Sequence, residues 1–195
     1  MTEPTETGSE KIERLRRAAE EAPSSAQAQL RLGTALLPVS TKQAEAALLK
    51  AIELDPGCVE ALVNLGGICM KRLDHQGCVD ANARAIEARP DLAAAHFNKG
   101  LGHLYLDQPE EMAPCFERVL ELEPNNPAGN YYMAVALLAL GQAMPAQQRL
   151  SRSMQLGHSP EPAFIKALEK QLEKENLSPV QVIEVGPDAG GENKQ

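Results

Sequence analysis

The chain of 195 residues is 43% hydrophobic but only 3% aromatic and has no Trp, so a core has to be assembled from Ala and Leu, a composition suited to closely approaching helices. Its formal net charge of −8 argues against nucleic acid as a partner, because phosphate binding needs clustered Lys and Arg. The longest apolar run, 133–140, is far too short to cross a bilayer, which takes about 20 residues, so no membrane insertion is expected.

Residues 1–9 are polar and acidic. They have neither the basic start and apolar stretch of a secretory signal nor the Arg-rich character of a transit peptide. They are expected to be disordered, and the protein to be cytoplasmic. Residues 10–23 read as a lone helix, with Leu15 and Ala18 at core positions and Pro23 as its stop. The densest basic group of the chain lies here: Lys11, Arg14, Arg16 and Arg17, diluted by Glu10, Glu13, Glu20 and Glu21. It reads as a solvated helix face.

The next stretch is periodic. Pro56, Pro90 and Pro124 stand 34 residues apart and close similar phrases, AIELDP, AIEARP and VLELEP. Gly33, Gly66, Gly100 and Ala134 follow one another at intervals of 33, 34 and 34. Such a period marks a stack of like units, here at 26–58, 59–92, 93–126 and 127–160. The small residue lets the two helices of a hairpin cross closely. The proline cannot continue the helix before it, so the chain turns. Each hairpin has too little core alone, and stacking buries a continuous apolar spine. Residues 161–176 form an amphipathic capping helix, with Phe164, Ala167, Leu168 and Leu172 on its apolar stripe. Residues 177–195 are expected to be a flexible tail. Its VQVIEV segment at 180–185 is a candidate occupant of the protein's own groove or a neighbour's.

The unit resembles the tetratricopeptide repeat, whose pattern has Leu at position 7, Gly at 8, an aromatic at 11, Gly at 15, Ala at 20, an aromatic at 24, Ala at 27 and Pro at 32. In the second repeat Leu65, Gly66, Cys69, Cys78, Asn82, Ala85 and Pro90 take these places, with Leu73 where the family has Gly at 15. The third supplies Gly100, His103, Asp107, Met112, Phe116, Val119 and Pro124, and the fourth Ala134, Leu137, Gly141, Ala146, Leu150 and Ser153. Asn82, Lys99 and His158 depart from the pattern. The resemblance implies an all-α fold, a right-handed superhelical solenoid of antiparallel helix hairpins, and a protein-binding role.

In this family the first helix of each hairpin lines a concave groove. Carried over position by position, the peptide-binding groove comprises Asn64, Phe97, Asn98, Leu101, Tyr105, Tyr131, Tyr132 and Val135. Asn64 and Asn98 stand 34 apart at equivalent places, and each amide can pair with the backbone of an extended peptide. Phe97 and Tyr131 have a second role open to them, packing between adjacent first helices. Tyr105 and Tyr132 are expected to be exposed, as anchors worth about 2 kcal/mol each on truncation. The Lys/Arg clamp by which chaperone cofactors of this family hold a C-terminal carboxylate keeps only its middle Asn in either register. Acidic chaperone C-termini are therefore not expected as partners.

Signals for catalysis are missing. His96 and His103 share a helix face, but two turns separate them by roughly 10 Å, too far for one metal ion. They read as core or partly buried residues. Cys69 and Cys78 fall at facing positions of one repeat and read as small core residues. The four cysteines contain no C-x-x-C pair and suit a reducing compartment. No phosphate loop, nucleophile elbow or zinc-helix motif is present, so neither enzymatic activity nor a cofactor or metal is expected. The leading expectation is a non-catalytic interaction module, a scaffold, adaptor or assembly chaperone, that binds a partner peptide in a largely apolar groove. The alternative is a self-assembling structural scaffold, a homo-oligomer joined through end faces or the tail.

Overall fold

The computed structural model describes residues 6–175; the expectations placed on the tail at 177–195 lie outside them. Among the described residues ten helices follow one another: α1 (Gly8–Glu21), α2 (Ala26–Leu36), α3 (Thr41–Leu54), α4 (Val59–Lys71), α5 (His75–Ala88), α6 (Ala93–Tyr105), α7 (Pro109–Leu122), α8 (Pro127–Ala139), α9 (Ala143–Gln155) and α10 (Pro162–Lys174). Each packs on the next, and α4 also touches α2 and α6. This is a solenoid in which α2–α3, α4–α5, α6–α7 and α8–α9 are the four hairpins.

Local chemistry sets the helix boundaries. Helix α1 starts at Gly8, two residues before the expected start, because Thr7 and Glu10 close a capping box: Glu10 N–H donates to the Thr7 side chain, and Thr7 N–H donates to Glu10 Oε2 at 2.8 Å. Ser25, Ser40, Asp74 and Asn126 cap α2, α3, α5 and α8 by accepting from a backbone N–H in the first turn. Pro109, Pro127 and Pro162 open α7, α8 and α10, where the missing N–H would have had no intrahelical partner anyway.

The turn inside each of the last three hairpins passes through a left-handed residue: Leu73 (φ 61°), Asp107 (φ 56°) and Gly141 (φ 72°). These are equivalent places, so the loss of glycine at Leu73 and Asp107 changed the residue and left the backbone conformation in place.

The small-residue ruler marks where the helices of each hairpin cross. A Cβ built on Gly33 would stand 2.8 Å from Leu48 Cγ, and one on Gly100 would stand 2.7 Å from Phe116 Cε2. At Gly66 the group met is the Asn82 amide. Asn82, a polar residue where the family carries an aromatic, is completely buried and donates to the Cys78 carbonyl at 2.8 Å. Ala134 fills the fourth place with no exposed surface.

The apolar spine follows from this stacking. Leu30, Leu48, Ala51, Leu62, Ile68 and Ala85 form its N-terminal part; Met112, Phe116, Val119 and Ala136 its middle; Leu137, Ala146, Leu150, Leu168 and Leu172 its C-terminal part. In α10, Leu168 and Leu172 are buried, and Phe164 packs partly buried beside them. Ala167, placed on that stripe by its spacing, is exposed. In α1 the buried pair is Leu15 and Ala19, with Ala18 turned to solvent.

Candidate functional site

The first helices α2, α4, α6 and α8 line one face, and two depressions and an aromatic surface occur on it in chain order. The larger depression, about 720 Å³, is bordered by α1, α2, α4 and the turn leading into α6. Val63 and Asn64 of α4 lie on its wall, with Leu30, Arg31 and Thr34 of α2 opposite. A shallower one of about 300 Å³ lies between α6 and α8 and is bordered by Phe97, Asn98 and Ala128.

The two equivalent asparagines differ in state. Asn64 donates its amide to Thr34 Oγ1 at 3.1 Å, so it is tied to the neighbouring repeat. The Asn98 side chain has no hydrogen-bond partner among the described residues and is partly open at the smaller depression. Its carbonyl accepts from the Cys78 thiol at 3.4 Å, which fixes the α5–α6 contact. Of the pair, Asn98 is the one whose amide is left without a partner among the described residues.

Five of the six Phe and Tyr residues, all but Tyr105, are joined into one network. Phe97 meets Phe116 edge-on at 5.4 Å between centroids and Tyr132 at 5.6 Å. Tyr132 stacks on Phe116 at 5.3 Å and meets Tyr131 at 5.2 Å. Tyr131 then contacts His158 at 4.6 Å and Phe164 of the cap at 5.4 Å. Aromatic pairs at such separations gain from ring electrostatics as well as from burial.

This placement changes the roles expected from spacing. Tyr131 is 8% exposed and enclosed by α10, so it is a packing residue between α8 and the cap and not an open groove residue. Burial pushes its hydroxyl up, with the Glu161 carboxylate adding to the effect. Phe97, Leu101 and Val135 are half-buried, each packed on the middle of the spine. Tyr132 is half-buried too: one ring face rests on Phe116, and burial and the neighbouring Tyr105 raise its hydroxyl. Tyr105 is different. It is 61% exposed and stacks on His75 of the preceding repeat, with centroids 4.8 Å apart and planes 13° apart. Spacing gave no sign of this support, since His75 lies 30 residues before Tyr105.

The histidines and cysteines are structural. His96 Nε2 donates to the Pro90 carbonyl at 2.9 Å, and His103, 8% exposed, donates from Nδ1 to Gln108 Oε1 at 2.8 Å. All four cysteines are free. Burial pushes every one of their thiols up, that of Cys78 to about 11, which keeps them protonated near neutrality and makes them poor nucleophiles. Among the described residues no group of three or more His, Cys, Asp or Glu gathers as metal ligands, and no helix is long and apolar enough to cross a membrane.

Three family models described as tetratricopeptide repeat match the chain, at residues 41–93, 93–126 and 115–148. No curated protein matches its sequence significantly. Among solved structures it is similar to YrrB, described as a tetratricopeptide repeat protein with an unusual peptide-binding site, at 19% identity and a TM-score of 0.76 over 85% of each chain. It is similar to MamA at 19% identity and a TM-score of 0.72, covering 76% of this chain and 88% of MamA. It is also similar to PilF of Pseudomonas aeruginosa at 25% identity and a TM-score of 0.70, covering 85% of this chain and 78% of PilF.

Proposed function

The chain belongs to the tetratricopeptide repeat family, and on that premise we propose that it is a non-catalytic interaction module, an adaptor or assembly scaffold of the cytoplasm, that holds a partner peptide along α6 and α8. The repeat fold supports a protein-interaction role in general. The observation that carries the finer reading is Tyr105: a large aromatic side chain, 61% exposed, held in one orientation by the His75 ring beneath it. An exposed aromatic that is already ordered loses little entropy when a partner covers it, and such residues dominate binding energy. Asn98 lies on the same helix with its amide open to a peptide backbone. The thiols, raised by burial, are poorly suited to act as nucleophiles, which favours a binding role.

The test uses peptides selected from a displayed random library against the full chain. Their affinity should fall about tenfold on Tyr105→Ala, the loss expected of an aromatic anchor. Tyr132→Ala is a poor companion variant, because it removes the ring that covers Phe116. Tyr132→Phe keeps the packing and tests the hydroxyl alone. Selected peptides that bind Tyr105→Ala as tightly as the parent chain would remove this surface from consideration.

A further inference from the structure

The fold gathers charge of one sign at its N-terminal depression. Lys11 and Arg14 come from α1, Arg31 from α2 and Arg89 from the turn before α6; the one carboxylate among the lining residues is Glu60. This happens in a chain whose net charge is −8, so the concentration is local and opposite to the average surface. Between the cations the wall is apolar: Leu15, Leu30, Val63 and Leu92.

The four cations are engaged to different degrees. Arg89 donates to Glu60 at 3.2 Å, and its buried Nε has no partner among the described residues. Arg14 grips the Glu6 carboxylate through two bonds, Nε to Oε1 at 2.9 Å and Nη2 to Oε2 at 3.2 Å. That grip holds the Glu6 carboxyl below its usual range. Lys11 and Arg31 form no ion pair among the described residues.

We propose that this depression is a second docking subsite, for an acidic segment of a partner protein in which apolar side chains alternate with Asp or Glu. In an extended segment alternate side chains point to opposite sides. One set therefore reaches the Leu and Val wall while the other meets the cationic rim. Arg14, a rim residue, shows by its two bonds to Glu6 that its guanidinium is free to grip a side-chain carboxylate. The volume of about 720 Å³ lies within the usual range for a ligand site. The subsite differs from a clamp for a chain terminus. Its cations come mainly from the flanking helix and an inter-repeat turn, and they are spread around the rim instead of converging on one point. Charges more than a Debye length away, about 10 Å, are largely screened, so the local cations, and not the acidic average of the chain, govern how the docked segment is recognised. None of this depends on the aromatic surface at α6 and α8.

The test is fluorescence anisotropy on the full chain with a labelled peptide of about ten residues that alternates Leu or Val with Asp or Glu. Two controls replace the acids by Lys or the apolar residues by Ser. The acidic apolar peptide should bind about tenfold more tightly than either control, and more weakly as salt rises. Lys11→Glu combined with Arg31→Glu should weaken it about tenfold, while Tyr105→Ala leaves it unchanged. Both substituted residues are exposed, and an unchanged circular dichroism spectrum and melting curve confirm folding; if that pair misfolds, Lys11→Gln with Arg31→Gln replaces it. Equal binding of the Lys peptide, or binding indifferent to the double substitution, overturns the proposal. Preferential binding of the chain's own 177–195 peptide, with full-chain dimers dispersed by the same substitutions, overturns it in favour of self-association.

Discussion

His75 lies flat beneath Tyr105: the rings stack with centroids 4.8 Å apart and planes 13° apart, although the two belong to different repeats. The most exposed aromatic among the described residues is thus held by a neighbour that makes no part of the predicted groove. His75→Ala should weaken a Tyr105-dependent peptide by three- to tenfold, about 1 kcal/mol. The fold should be little affected, since the ring it supports is largely in solvent. Titration calorimetry with a library-selected peptide reads this directly, and an unchanged affinity would show that the stack does not orient the anchor.

Leu73 occupies the left-handed region with φ 61° and is 76% exposed. Its side chain returns little packing energy there, while a non-glycine residue in this conformation costs about 1–2 kcal/mol. Leu73→Gly should therefore raise stability by about 0.5–1 kcal/mol after the added freedom of the unfolded chain is subtracted. Asp107→Gly should gain less, because Asp tolerates this conformation better. Urea unfolding of the two variants tests the ranking.

Two glycines of one repeat family should respond in opposite directions to alanine. At Gly100 a Cβ would stand 2.7 Å from Phe116 Cε2 and 3.2 Å from Cys115 Cβ. Phe116 is completely buried and hemmed in by Phe97 and Tyr132, so its ring has no room to yield. Gly100→Ala should cost about 1–3 kcal/mol. Gly67, inside α4, has nothing within 4 Å of the corresponding point. Gly67→Ala should gain about 0.5–1 kcal/mol from helix propensity alone. Thermal melts of both variants decide whether close crossing is the reason for the small-residue ruler.

The thiols give a pH prediction with a definite sign. Burial raises Cys78 from 9.0 to about 11, so across that interval the folded chain keeps a proton that the unfolded chain releases. Releasing protons on unfolding makes stability fall as pH rises. The thiols should leave stability unchanged below about pH 8 and reduce it as pH passes through 9 toward 11. Iodoacetamide at pH 8 should label Cys69 first, since Cys58, Cys78 and Cys115 are buried and Cys69 is only partly so. Mass spectrometry of the alkylated native chain reads the order, and early labelling of Cys78 contradicts the packing described.

The repeat register was legible because it rests on local requirements that recur. A proline that stops a helix and a small residue where two helices cross must each reappear in every unit, so Pro56, Pro90 and Pro124, with Gly33, Gly66 and Gly100, mark the hairpins before any contact is known. The groove was legible only in part. Repeat position assigns a residue to a helix face, and it placed Asn98 and Tyr105 on an open surface. It does not say what packs over that face. Tyr131 holds a groove position yet is covered by α10, and Asn64 is tied to Thr34 across a repeat boundary. Asn82 departs from the aromatic its position calls for, but Gly66 opposite leaves space for its amide.

The sequence by itself determined the architecture: helix hairpins in a 34-residue register, stacked because none can bury its apolar stripe alone. The tertiary structure decided which side chains are left facing solvent and which charges meet. Lys11 and Arg14 looked like part of a diluted, solvated helix face, and only the stacking of α1 on α2, and of α2 on α4, brings them to one pocket with Arg31 and Arg89. Periodicity is a short-range property of the backbone. Charge convergence depends on residues up to 78 positions apart, and no local rule carries that information.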